Sequence, residues 1–292
     1  MRSSNPVFAR RGFSRSGGYA GFDGTQQPQP ANPYAGYANN PYAGQQQPAG
    51  QPFGTPPFGP APAPAPQQAP YAGRMTMDDV VTRTGMTVGL VIVTAAIAWV
   101  TDLALPLAFA SGLVAMVLGF VQSFKRKPAP ALILAYAAFE GLFLGALSNF
   151  VDSYIANGAA MQAVLGTMAV FATVLVLYKT RVIRVTRRFY RFVLAAAIGF
   201  VALMALNMLF AVFGVGGGEG LGFRSGGLGI LFGVIGVVLG ALFLALDFKQ
   251  VEDGIAYGAP REESWLAAFG LTLTLVWIYL EFLRLIAIIQ GR

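Results

Sequence analysis

The sequence predicts an all-α membrane protein, a bundle of seven transmembrane helices preceded by a disordered cytoplasmic tail, on three observations. Of 292 residues, 55% are hydrophobic and only 11% are charged, a composition typical of chains that live in lipid. Apolar runs of the ~20 residues that a helix needs to cross a bilayer recur from residue 84 onward. Fourteen of the 18 prolines fall in residues 1–74, where neither a helical nor a strand period is visible. The chain therefore divides into a tail, 1–74, and a transmembrane domain, 75–292.

The tail mixes proline with Gln, Ala, Gly, Asn and Tyr and cannot bury enough apolar surface to offset its ordering entropy. It carries a loose repeat, Tyr-Ala-Gly at Tyr19, Tyr34, Tyr42 and Tyr71, with Phe-Gly pairs at Phe53 and Phe58. Two readings are open: a solvated tail, or a multivalent docking segment for protein partners. At Thr76 to Asp79 a helix start follows, with Asp78 and Asp79 near the positive end of the macrodipole. Seven apolar spans are then predicted at about 84–104, 106–124, 131–150, 159–178, 193–213, 228–248 and 266–289.

Orientation follows from the basic residues. Lys125, Arg126 and Lys127 follow span 2, and Lys179, Arg181, Arg184, Arg187, Arg188 and Arg191 follow span 4. Both loops are expected in the cytoplasm. The turns after spans 1 and 3 carry Asp102 and Asp152 and no basic residue, and the Gly-rich turn after span 5 has only Arg224 beside Glu219. This places the tail inside and the C-terminus outside, most simply in a plasma (inner) membrane. The six basic residues after span 4 form a stripe suited to anionic headgroups. Topology thus explains the net charge of +7, and no nucleic-acid partner is expected.

Cysteine and histidine are both absent. That excludes disulfides, iron–sulfur clusters, histidine-held metals and every Ser-His or Cys-His nucleophile. No Gly-x-Gly-Asp motif of an intramembrane aspartyl protease occurs, and span 7 has no lysine for retinal. An enzyme is not expected, and no resident cofactor is implied. Near-neutral titration must come from carboxylates.

Three acids interrupt apolar spans: Glu140 in AAFEGLFLG, Asp247 in LALDF, and Glu281 in YLEFLRL. An ionisable group at mid-bilayer costs about 2.5–3.5 kcal/mol on insertion scales and usually faces a partner or a cavity. Arg284 lies at i+3 from Glu281 on one helical face, so the two read either as a packing pair or as part of a pathway. Glu140, beside Gly141, Gly145 and Ala146, reads equally as an interhelical hydrogen bond or as a lining acid. Asp247, with Lys249 two residues on, stands near a cytoplasmic helix end. Deprotonated carboxylates on a shared cavity offer hard oxygen ligands for calcium, and protonated ones do not.

The last span, Ile278-Tyr279-Leu280-Glu281-Phe282-Leu283-Arg284-Leu285, is similar to the Tyr-Leu-Asp-Phe/Ile-Ile-Asn-Leu motif of the Bax inhibitor-1-like family. The end of the sixth, Leu246-Asp247-Phe248-Lys249-Gln250-Val251, resembles that family's apolar-Asp-x-x-x-apolar end. The resemblance covers roughly residues 84–289. It implies a seven-helix bundle with helix 7 at its centre, and Asp247 and Glu281 as an acidic pair gating a pH-sensitive calcium leak. In a hairpin turning near Tyr257, at about 1.5 Å per residue, Asp247 stands level with about residue 267. The pair meets only if helix 7 starts deep, near Pro260. Calcium-leak members carry an early-helix arginine that latches onto the acids; spans 1 to 3 as drawn here have none, which leaves Arg284 as a substitute.

Two functions from different classes follow. One is a pH-modulated calcium leak with Asp247, Glu281, Glu140 and Arg284 on the ion path, and with Asp247 and Glu281 as candidate calcium ligands. The other is a membrane interaction protein, such as a modulator of a membrane protease, acting through its tail and basic loop.

Overall fold

A computed structural model describes residues 73–218, 220–223 and 225–291. The expectations for residues 1–72, and for Glu219 and Arg224, lie outside the described residues. The described residues form seven long helices and no strand. They are α1 Met77–Val100, α2 Leu105–Phe124, α3 Pro130–Tyr154, α4 Ala159–Lys179, α5 Arg187–Val212, α6 Gly226–Ala256 and α7 Glu263–Gln290. All seven are long and apolar enough to cross a membrane.

The helix ends follow local chemistry. Thr76 caps α1 with a reciprocal capping box, its hydroxyl accepting from Asp79 N at 3.2 Å and its amide donating to the Asp79 carboxylate at 3.3 Å. Helices α2 and α3 open with proline in their first two positions, where the missing N–H is not needed. The Thr186 hydroxyl caps α5 by accepting from Phe189 N at 3.2 Å. Three boundaries differ most from expectation: α5 starts at Arg187, six residues before residue 193, where Thr186 caps it. Helix α1 starts seven residues before residue 84 because of its cap. Helix α6 runs through Glu252 and Asp253 to Ala256, eight residues past the expected edge at residue 248. There Lys249 pairs with both, at 3.3 and 3.1 Å, the i,i+3 and i,i+4 spacings a helix brings together.

Helix α7 is the hub and packs against α6, α4, α1 and α3. Its first half is buried nearly all round, with Leu266, Ala267, Ala268 and Phe269 at 0% exposure. Helix α1 lies on α3 at backbone contact, since a methyl at Gly145 would stand 2.1 Å from the Ala95 carbonyl oxygen. Exposed apolar side chains run along α2, α4 and α5, the surface a hydrocarbon solvent accepts.

The ends of the bundle differ. One face gathers the start of α1, the α2–α3 and α4–α5 loops with their lysines and arginines, and the α6–α7 link. We call it the basic face. On the opposite face Asn149 donates to Asp102 at 2.7 Å and Gln290 donates to Gln162 at 3.0 Å. Just before α1 the chain pairs with the α6–α7 link: Met75 N donates to Ala259 O and Arg261 N to Gly73 O, both at 2.8 Å. These bonds flank an antiparallel bridge between Arg74 and Pro260.

Candidate functional site

The seam between α6 and α7 holds two of the three acids. Gly229, Gly233, Gly236 and Gly240 follow one another at intervals of three and four residues, which puts them on one face of α6. Helix α7 lies against that face. A methyl at Gly236 would stand 2.7 Å from Glu281 Cδ, and one at Gly240 would stand 2.5 Å from Ile278 Cγ1. Trp277 Nε1 donates across the seam to the Gly236 carbonyl at 3.2 Å.

Asp247 is 1% exposed and accepts a hydrogen bond from Thr274 Oγ1 at 2.5 Å. On the opposite face of α7, Thr272 and Thr87 share a buried hydroxyl–hydroxyl bond of 3.0 Å. Glu281 accepts from Arg284 Nη2 at 2.5 Å, each side chain 13% exposed. Buried apolar positions thus alternate with two polar layers along α7. An exposed pair at i,i+3 would contribute little, whereas this one stands where breaking it leaves a charge in apolar surroundings.

The expectation that Asp247 and Glu281 meet is corrected. Asp247 stands beside Thr274 and Glu281 beside Gly236, so the two acids are seven residues apart along α7, about 10 Å. Trp277 and Ile278, wedged onto Gly240, fill the interval. The reason lies in the link. For the two acids to be level the hairpin would turn about Ser264, but Ser264 already belongs to the first turn of α7, and residues 257–262 carry the reversal. The deep start of α7 at Glu263 moves the partner of Asp247 from residue 267 to Thr274 and no further. Among the described residues no group of three or more acids converges to hold a metal.

Glu140 is 8% exposed in α3. On one side of it Tyr136 meets the Phe269 ring edge-on, with centroids 5.1 Å apart, and on the other Ser148 bonds the Tyr279 hydroxyl at 2.5 Å. Glu140 is thereby set near the height of Thr272 and Thr274. None of the described residues donates a hydrogen bond to its carboxylate.

Sequence reasoning missed Arg83. It lies in the second turn of α1, where Nη1 donates to the Arg261 carbonyl at 2.6 Å and to the Ser264 hydroxyl. Its guanidinium lies 5.2 Å from the Trp265 ring centroid. Arg261 pairs in turn with Asp79 at 2.8 Å. The first three spans therefore do contain a basic residue, which tethers α1 to the start of α7 rather than to a buried acid. The signal was present: the capping box at Thr76 starts the helix at Met77 and so includes Arg83.

Seven apolar crossings around a hub helix, with carboxylates and a guanidinium turned inward, define an integral membrane helix bundle with a polar interior. The family model described as Bax inhibitor 1 like matches residues 5–291. The chain belongs to that family, as its last two helices suggested. No curated protein matches the sequence.

Proposed function

We propose that the protein is a passive, pH-controlled cation leak, closed in this conformation, with Asp247 as its lock. The observation that carries this reading is the position of Asp247: a carboxyl group at 1% exposure, tied across the α6–α7 seam by the Thr274 hydroxyl. An ionised carboxylate there must be relieved by water, a cation or separation of the helices. A neutral carboxyl group needs only its hydrogen bond. The charge on Asp247 therefore decides whether α6 and α7 stay closed. Glu140 is the acid that an opened interior meets at the same height, and Glu281–Arg284 is a second barrier toward the opposite face. Calcium is the cation best suited to carboxylate and hydroxyl oxygens in this arrangement. The reaction is transport rather than catalysis, and Ca2+ is cargo rather than cofactor.

In this reading the basic face is cytoplasmic in a plasma membrane, because lysine and arginine concentrate there. Lys179, Arg181, Arg184, Arg187, Arg188 and Arg191 are all exposed and suit anionic lipids. A second reading, in which partners act through the tail, is favoured by one observation. Gly73 and Arg74 at the end of the tail, and Met75 after them, pair with the α6–α7 link, so a force on the tail reaches the link that joins the two seam helices.

The test is calcium flux into proteoliposomes across the neutral pH range, for the wild type and Asp247→Asn. The asparagine can still accept the Thr274 bond but cannot ionise. Flux that varies with pH in the wild type and not in the variant supports the lock. Flux equal to that of empty liposomes at every pH refutes it and leaves the tail reading.

A further inference from the structure

We infer that the basic face carries a built site for one zwitterionic phospholipid with a primary amine headgroup. It is a cleft of about 330 Å3 between the first three turns of α1 and the start of α7, lined by Asp78, Asp79, Thr82, Arg83, Met86, Arg261 and Trp265. This inference is independent of the cation pathway.

The charges match such a headgroup and no simpler one. Two carboxylates face two guanidiniums, so the cleft is balanced overall. Asp79 is taken up by Arg261 and by its own cap, which leaves Asp78 exposed. The bonds described for the two arginines use only Nη1 of Arg83 and Nε of Arg261, and a guanidinium has five N–H donors in all. Phosphate oxygens accept from those remaining donors, while an ammonium group donates to Asp78. Trp265 holds the Arg83 guanidinium in place from one side. A purely anionic ligand would meet Asp78 unfavourably, and a metal ion would meet both arginines.

The position selects a lipid over a soluble zwitterion. Thr82, Met86, Val93 and Ile97 fall within one narrow sector of α1, and Met86, Val93 and Ile97 are 50%, 56% and 50% exposed. The cleft therefore opens upward onto an apolar track. From Met86 to Ile97 the helix rises about 16 Å, close to half of a hydrocarbon core of ~30 Å. An acyl chain lying on that stripe would keep the headgroup in the cleft. This arrangement differs in kind from the stripe at Lys179 to Arg191, where an excess of positive charge calls for anionic lipid.

Lipid retention by the full-length protein in detergent, read by native mass spectrometry, tests the inference. Phosphatidylethanolamine, phosphatidylcholine and phosphatidylglycerol of matched chains are offered to the wild type, Asp78→Asn and Thr82→Trp. Phosphatidylethanolamine should be retained about tenfold over phosphatidylcholine, whose methylated amine cannot donate a hydrogen bond. Asp78→Asn, at an exposed position, should abolish that preference and raise phosphatidylglycerol binding, since the charge that repels a purely anionic headgroup is gone. Thr82→Trp should fill the cleft and lower retention of phosphatidylethanolamine. Equal retention of the two zwitterionic lipids by the wild type, or an unchanged preference in Asp78→Asn, would overturn the site. Displacement of the lipid by soluble phosphoethanolamine at equal concentration would overturn the role of the apolar track.

Discussion

Gly240→Ala tests the α6–α7 seam most directly. The added methyl would lie 2.5 Å from Ile278 Cγ1 and 3.2 Å from Trp277 Cδ1. Carbon atoms rest at about 3.5–4.0 Å, so either the helices part by about 1 Å or Ile278, at 0% exposure, leaves its rotamer. Extra carbon in a packed core costs about 1–3 kcal/mol, while alanine in place of a mid-helix glycine returns roughly 0.5–1 kcal/mol. A net loss of up to about 2.5 kcal/mol remains. Gly89→Ala is the control, because a methyl there meets nothing within 4 Å and only the helix-propensity gain applies. Unfolding by SDS in mixed micelles, followed by tryptophan fluorescence, gives both values. In proteoliposomes the parted seam should also raise calcium flux at the pH where the wild type is closed. If Gly240→Ala proves as stable as Gly89→Ala, the close approach is not a constraint and the proposal that the seam gates a leak is refuted with it.

Arg284→Met removes the guanidinium from Glu281 in a 13%-exposed setting and should cost about 3–5 kcal/mol in the same SDS titration, most of it recovered by adding Glu281→Gln. Arg83→Ala deletes the donor to Arg261 O and Ser264 Oγ. Amide exchange across Tyr257 to Ser264 should then accelerate by about tenfold or more, while exchange near Asp102 on the opposite face stays unchanged. Thr76→Ala breaks the capping box and should cost about 1 kcal/mol, with faster exchange confined to the first turn of α1.

Much of the architecture was legible because each span had to bury its backbone in lipid, and a helix is the cheapest way to do so. Run length alone therefore located seven helices. The helix start read at Thr76 to Asp79 is one that the structure keeps. Extent was harder to read, since α6 continues to Ala256 on the Lys249 ion pairs after its apolar run has ended. Those pairs depend on helical spacing rather than hydropathy. Arg83 was overlooked for the same reason: a hydropathy edge drawn at residue 84 is not a helix end.

The sequence by itself determined the helix count, the absence of histidine and cysteine chemistry, the three intramembrane acids and the family. Only the tertiary structure decided which groups those acids face. Register between α6 and α7 is set by where Gly236 and Gly240 admit Glu281 and Ile278, and by six link residues that put the turn before Ser264. The glycine contacts join residues some forty positions apart. A register shift of seven residues, about two helical turns, would have brought Asp247 to Glu281, yet close packing of Trp277 and Ile278 on the glycine face holds them about 10 Å apart along α7.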